Sequence, residues 1–94
     1  MLTEYKQYCA LCGSPATDTH HLIEGRGYRQ LADADELYIP ICRVCHQRVH
    51  AESVAMRLGQ IAGQLAFEKD RVSEGVLPED ARKLFLRRYG KSFL

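Results

Sequence analysis

The chain has 94 residues, a length that allows one domain at most. Of these residues 46% are hydrophobic and 27% are charged, a composition that excludes wholesale disorder. The formal net charge of +1 argues against a strongly basic protein that coats nucleic acid. No apolar run approaches the roughly 20 residues that span a bilayer, and the first residues lack the apolar core of a signal peptide. We therefore expect a cytoplasmic protein with no membrane partner. A domain this small usually depends on a metal, disulfides or a partner subunit for stability.

The first half of the chain predicts two strands separated by a loop. Residues 17–23 are rich in β-branched side chains and predict a strand, whereas two glycines within residues 24–29 predict a loop. Residues 31–36 are acidic and favour neither a helix nor a loop. Residues 37–41 predict a second strand, in which Pro40 must lie at an edge or an end because proline cannot donate a hydrogen bond to a neighbouring strand.

The second half of the chain predicts helices. A short helix covers residues 45–51, and apolar residues at helical spacing predict another helix after it. In that helix Gly59 and Gly63 either lower stability or allow close packing against a neighbour. Pro78 begins the last helix and Gly90 ends it. The side chains expected in the core are Leu58, Ile61, Leu65, Leu84 and Phe85.

The four cysteines form two CxxC pairs on either side of residues 13–41. Two intervening residues let one turn present both sulfurs to a single tetrahedral ion. Since nothing directs the chain to an oxidising compartment, disulfides are disfavoured. A structural Zn²⁺ is therefore the preferred interpretation, and two disulfides, a redox-active pair or unligated thiols are the alternatives. The expected zinc ligands are Cys9, Cys12, Cys42 and Cys45.

All four histidines lie within or beside this cysteine framework. His46 and His50 are four residues apart on one face of the predicted helix, a spacing at which two imidazoles can bind one ion. His20 and His21 are neighbours on the predicted strand and point to opposite faces. One of the two can then bind a metal while the other faces a substrate. The alternatives are histidines that are packed or solvated, or a His46 that competes for the zinc.

Together, the His20-His21 pair, the two strands and Cys42-x-x-Cys45-His46-x-x-x-His50 resemble the HNH endonucleases, or ββα-metal nucleases. The resemblance is to the cysteine-flanked members common in phages and prophages, and it covers residues 7–52. It implies an α+β fold, in which a small ββα-metal core is braced by a four-cysteine zinc knuckle. Helices over residues 53–94 complete a single domain of residues 1–94. It also implies a protein that a phage or prophage encodes and that acts in the bacterial cytoplasm.

The resemblance assigns one catalytic residue and the ligands of a second metal. His21 matches the general base, which takes a proton from the water that attacks a phosphodiester. His20, His46 and His50 match the ligands of a divalent ion, which would be Mg²⁺, Mn²⁺, Ni²⁺ or Zn²⁺. The implied reaction is hydrolysis of double-stranded DNA without evident sequence specificity, and a phage or recombination protein is a further expected partner. The arginines that could contact DNA phosphates, or else are solvated surface residues, are Arg26, Arg29, Arg43 and Arg48.

The sequence departs from the HNH motif because it contains no asparagine. In the family, the middle Asn orients a loop and, through it, the general base. Asp33, Asp35 or Gln30 could supply the missing hydrogen bond. Equally, the loss could mark a non-catalytic, zinc-stapled module that binds nucleic acid or acts as an adaptor. A third interpretation is an interaction protein whose C-terminal helices bind a partner.

Overall fold

The structure is a computed structural model that describes residues 2–25 and 27–94. Within these ranges the fold is α+β, as the sequence predicts, with a two-stranded sheet and four helices, of which the first was not predicted. None of the described helices is long and apolar enough to cross a membrane. In chain order the elements are β1 (Asp18–His21), α1 (Tyr28–Ala34), β2 (Tyr38–Ile41), α2 (Arg43–Ala51), α3 (Ser53–Ser73) and α4 (Pro78–Tyr89).

The two strands pair in antiparallel fashion, with Thr19 opposite Pro40 and His20 opposite Ile39. A two-stranded sheet consists of edge strands, so the proline lies where the sequence requires it. The Pro40 carbonyl accepts a hydrogen bond from the Ala10 backbone N–H at 2.9 Å, which joins the first CxxC turn to the sheet. The sheet is therefore braced by the N-terminal cysteine segment.

The acidic segment after the loop is helical. α1 begins after Gly27, which has a φ of 85°, and it buries Ala32 against the core. The predicted loop is two residues shorter than expected, because Tyr28 and Arg29 already belong to this helix. A seven-residue helix with one fully buried side chain gives too weak a periodic pattern to be recognised from sequence.

Helix α3 packs closely behind the segment that follows β1. A Cβ atom at Gly63 would lie 3.1 Å from Leu22 Cβ and 3.1 Å from Ile23 Cδ1, so the glycine allows the close packing that the sequence suggested. Leu22 and Ile23 directly follow His21, and both are buried. The position of the histidine-bearing strand therefore depends on α3.

The expectation that Leu58 and Leu65 belong to the core is wrong. Their exposed fractions are 61% and 50%, whereas α3 buries Gly63, Gln64 and Phe67. Leu65 lies about 100° around the helix axis from Gln64. Because the face that bears Gln64 contacts the rest of the protein, the two leucines point towards solvent. The buried Gln64 amide accepts a hydrogen bond from the Phe93 backbone N–H at 2.7 Å, and this polar contact at a core position cannot be read from hydrophobic spacing.

The remaining core predictions hold. Phe85 is fully buried, and Ile61 and Leu84 pack against its cluster. Pro78 lies in the first turn of α4, and Gly90, with a φ of 79°, ends that helix. The first core cluster comprises Ile23, Ala32, Leu37, Phe67, Phe85, Tyr89 and Phe93. The second lies beside the sheet and α2 and comprises Cys9, Leu22, Ile39, Ile41 and Val49.

Candidate metal centres and active site

The four cysteines come together as one cluster. Their sulfurs all lie within 4.8 Å of one another, and Cys12 Sγ lies 3.7 Å from Cys42 Sγ. All four are free thiols rather than disulfides. The first pair is shaped by a tight turn in which the Gly13 backbone N–H donates to the Cys9 carbonyl at 2.9 Å. The second pair spans the first turn of α2, where the Cys45 backbone N–H donates to Cys42 Sγ at 3.4 Å.

The pKa values of two thiols in this cluster are shifted in opposite directions. Burial raises the pKa of Cys9, but backbone N–H donors, above all that of Cys42, outweigh burial and lower the pKa to about 6. The Cys42 side chain, together with burial, raises the pKa of Cys45 to about 12. Since the thiolate is the form that binds metal, a cation among the sulfurs is what allows all of them to ionise. The cluster can bind a metal such as zinc.

Three of the four histidines form a second cluster. His20, His46 and His50 each offer a ring nitrogen within 4.8 Å of the others. The ring centroid of His20 lies 5.4 Å from those of His46 and His50, which are 5.0 Å apart. Strand β1 supplies the first ring and helix α2 the other two. The sequence-predicted ligand set is therefore assembled at one point.

The His20 ring has the properties of a metal ligand. It is 2% exposed, and within the described residues its buried Nε2 has no hydrogen-bond partner. A buried polar atom without a partner is costly unless an unseen group satisfies it. Burial, aided by the neighbouring His46 and His50, lowers the pKa of His20 to about 4. The ring is therefore neutral at pH 7, which metal binding requires.

A carboxylate that the sequence analysis missed contacts His46. Asp18 Oδ2 accepts a hydrogen bond from His46 Nδ1 at 2.9 Å, so the lone pair of this ring lies on Nε2. The same carboxylate accepts bonds from Arg43 Nε at 2.9 Å and Nη2 at 3.2 Å. The hydrogen bonds from Arg43 and then His46 hold the pKa of Asp18 well below its usual range.

Glu24 is a second acidic residue beside the histidine cluster. Its Oε1 lies 4.0 Å from His20 Nδ1 and 3.9 Å from His50 Nε2. At these distances the carboxylate is near enough to attract a cation toward the rings, although the contacts are too long for hydrogen bonds. Sequence reasoning placed this residue in a loop and gave it no role.

The fourth histidine has a different partner. His21 Nε2 lies 2.5 Å from Asp33 Oδ1, and a carboxylate only accepts, so Nε2 carries the proton and Nδ1 carries the lone pair. Asp33 is one of the three residues that could replace the missing asparagine. Asp35 instead accepts hydrogen bonds from Arg88 and Tyr89, each at 2.6 Å, and Gln30 is exposed.

All four histidines face one cavity of about 340 Å³. His21 ends β1, which lets its ring reach the same space as His20 although the two side chains leave the strand on opposite faces. The cluster of His20, His46 and His50 and the Asp33-bound His21 therefore share one site. The cavity is lined by Thr19, His20, His21, Ile23, Glu24, Gly25, Arg29, His46 and His50.

The predicted phosphate-binding arginines are not equivalent. Arg29 lines the cavity, whereas Arg43 is held by Asp18. Arg48 is exposed and lies 3.6 Å from Glu52. Arg26 falls outside the described residues. Among the three of these arginines that the structure describes, Arg29 is the one that lines the histidine cavity.

Comparisons with known proteins place this site within a matched region. A family model described as "Protein of unknown function (DUF968)" matches residues 4–67, a range that includes every cysteine and histidine of the chain. A protein of Escherichia coli (strain K12), called uncharacterized protein YdfU, is 44% identical over 50 residues. That match covers 52% of this chain but 14% of the relative, so the chain spans only a small part of the relative's length. No solved structure gives a significant match.

Proposed function

We propose that this chain, which belongs to the DUF968 family of proteins of unknown function, is a metal-dependent DNA endonuclease of HNH type. The observation that carries the proposal is the shared cavity, in which three imidazoles converge beside a histidine held by a carboxylate. In this account β1, β2 and α2 form the ββα-metal core. The cysteine cluster holds a structural Zn²⁺ and performs no chemistry.

The three-histidine cluster would hold the catalytic divalent ion. The buried, unpartnered Nε2 of His20 and the neutral state of that ring fit such an ion. Mg²⁺, Mn²⁺, Ni²⁺ and Zn²⁺ are the candidates. When bound, the ion would polarise a phosphate oxygen and offset the negative charge that develops on the leaving oxygen.

His21 would act as the general base. Its Nε2–H donates to Asp33, so Nδ1 is the atom that accepts a proton from a water molecule. The oxygen of that water forms a bond to phosphorus while the bond between phosphorus and the 3′ oxygen breaks. The products are a 5′-phosphate and, after the leaving oxygen takes a proton from solvent, a 3′-hydroxyl. Asp33 stabilises the imidazolium that forms on His21, as a carboxylate partner does in other His-based sites.

The substrate in this proposal is double-stranded DNA. Arg29 at the cavity can pair with a phosphate next to the scissile one. Residues 1–57 carry six Lys or Arg and seven Asp or Glu, so this half of the chain adds little general attraction for DNA. Weak intrinsic affinity follows, and a phage or recombination protein would supply targeting.

The cysteine cluster supports the site mechanically. Cys42 and Cys45 occupy the N-cap and first turn of α2, the helix that presents His46 and His50. A zinc ion there would fix the start of the helix relative to the Cys9 segment, which is bonded to the sheet. Geometric precision of this kind matters because small misplacements are costly in catalysis.

A plasmid-nicking assay tests the proposal. Zinc-loaded protein is incubated with supercoiled plasmid and Mg²⁺, Mn²⁺ or Ni²⁺, and the relaxed and linear products are quantified. The wild type is expected to nick the plasmid, and His21→Ala is expected to lose at least about 100-fold in rate, which is the usual contribution of a general base. Gln30→Ala, on the exposed face of α1, serves as the control.

The alternative function, a non-catalytic module that binds nucleic acid, makes a different prediction. It expects no cleavage by the wild type with any of the three metals. If His21→Ala cleaves DNA as fast as the wild type does, the protein is a nuclease but His21 is not its general base.

A further inference from the structure

We infer that Asp18 is a positioning residue that connects the cysteine cluster to His46 and thereby tightens ion binding at the three histidines. The inference rests on the proposed ion site of His20, His46 and His50. It concerns a residue outside that ligand set and a contact that crosses from one cluster to the other.

The first half of the connection is the contact between Asp18 and His46. A hydrogen bond of 2.9 Å to Nδ1 fixes the tautomer and the rotation of the ring, so that Nε2 presents its lone pair. Carboxylates that bind the far nitrogen of a metal-bound histidine commonly act in this way, because they orient the ring and raise its basicity. Asp18 and His20 are two residues apart on β1, so the carboxylate and the buried ligand leave the strand on the same side.

The second half of the connection is the contact between Asp18 and Arg43. The guanidinium donates two hydrogen bonds to the two oxygens of the carboxylate, at 2.9 and 3.2 Å. Arg43 lies between Cys42 and Cys45, within the turn that would hold zinc. Asp18 also pairs across the sheet with Ile41, the residue that precedes Cys42. A metal ion bound by the cysteines would order this turn and so fix the position of Arg43. Arg43 would then hold the Asp18 carboxylate, and the carboxylate would orient the His46 ring.

The two contacts should contribute unequally. The Asp18 side chain is 13% exposed, whereas that of Arg43 is 70% exposed, so solvent screens the ion pair with the arginine. Loss of a carboxylate that is hydrogen-bonded to a metal-binding histidine typically weakens metal affinity by 10- to 100-fold. We expect a change of about that size for Asp18→Ala and a smaller one for Arg43→Ala. Asp18→Asn retains an oxygen that can accept from Nδ1 and should fall between Asp18→Ala and the wild type.

Isothermal titration of zinc-loaded protein with Ni²⁺ tests the inference without any measurement of cleavage. Five variants are compared with the wild type: Asp18→Ala, Asp18→Asn, Arg43→Ala, His46→Ala and the control Asp80→Asn. Asp80 is exposed in the first turn of α4 and matches the change of charge. Zinc content and the circular dichroism spectrum are recorded for each protein before and after titration.

The expected result is one retained zinc per chain in every variant, with an ordered decline in Ni²⁺ affinity. The control should bind as the wild type does, Asp18→Asn more weakly, and Asp18→Ala about 10- to 100-fold more weakly. Wild-type affinity in Asp18→Ala, while His46→Ala loses the ion, would overturn the inference and leave the proposed site intact. Loss of zinc from Asp18→Ala would also overturn it, because Asp18 would then act on the fold. If the wild type binds no Ni²⁺, or His46→Ala binds it normally, the proposed ion site itself fails.

Discussion

Two glycines of α3 provide a matched test of how this helix supports the histidine-bearing strand. A Cβ atom at Gly59 would meet Leu22 Cδ2 at 3.4 Å, an ordinary contact with the end of a flexible side chain. At Gly63 the added carbon would lie 3.1 Å from Leu22 Cβ and from Ile23 Cδ1. Leu22 Cβ is attached directly to the backbone and cannot move unless the segment after His21 moves with it.

The two substitutions to alanine should therefore affect the free energy of unfolding differently. Replacing glycine by alanine within a helix gains about 1 kcal/mol in helix propensity. At Gly59 most of this gain should remain, so Gly59→Ala is expected to raise the free energy of unfolding by about 0.5–1 kcal/mol. Overpacking a close contact costs about 1–3 kcal/mol, so Gly63→Ala should be neutral or should lower the free energy of unfolding by as much as about 2 kcal/mol.

Urea unfolding of the two variants and the wild type, at one fixed zinc concentration, measures this difference. The free energies of unfolding of the two variants should differ by about 0.5–3 kcal/mol, with Gly59→Ala the more stable. Equal stabilisation by both substitutions would show that α3 does not approach the strand as closely as the structure indicates, and would refute the reasoning.

Two further substitutions probe the α1 segment. Tyr89→Phe removes a fully buried hydroxyl that donates to Asp35 at 2.6 Å and should lower the free energy of unfolding by about 1–3 kcal/mol, whereas Tyr5→Phe, at a residue that is 73% exposed, should not change it in the same urea experiment. Asp33→Ala removes the carboxylate that holds His21, the proposed general base, and should slow plasmid nicking about 10-fold or more, whereas Gln30→Ala should not; equal rates for the two would exclude a role for this contact.

The cysteines and histidines that could bind metal were predictable from sequence because their spacing along the chain specifies how close they lie. Two CxxC pairs and an i, i+4 pair of histidines each specify a short-range geometry that needs no knowledge of the tertiary fold. The structure brings the four cysteines together and places His20 beside His46 and His50. Glycine and proline likewise predicted the ends of α4, since both act through backbone conformation alone.

The residues around those histidines could not be predicted so directly. Asp18 and Glu24 reach the cluster through contacts that depend on how β1 meets α2, and their residue type alone does not distinguish them from solvated acids. For Asp18 one signal was present, because it lies two positions before His20 on a predicted strand and must share its face. Asp33 was one of three polar candidates, and only the path of α1 separates it from Asp35.

The wrong prediction that Leu58 and Leu65 of α3 are buried has a similar origin. Hydrophobic spacing favoured a buried stripe through Leu58 and Leu65, whereas the helix contacts the protein through Gly63, Gln64 and Phe67. A glycine that permits close approach and a glutamine with internal partners carry no hydrophobic signal, so the hydrophobic pattern favours the more apolar face. Tertiary contacts decided which of the two faces is buried.

The central claim is that four cysteines and three histidines of this chain build two distinct metal sites, and anomalous diffraction tests it most directly. Crystals of zinc-loaded protein soaked with Ni²⁺ would be measured at the absorption edges of zinc and nickel. We expect zinc among the sulfurs of Cys9, Cys12, Cys42 and Cys45, and nickel among the rings of His20, His46 and His50. Nickel that is absent from the histidines, or histidine rings turned away from one another, would contradict the account.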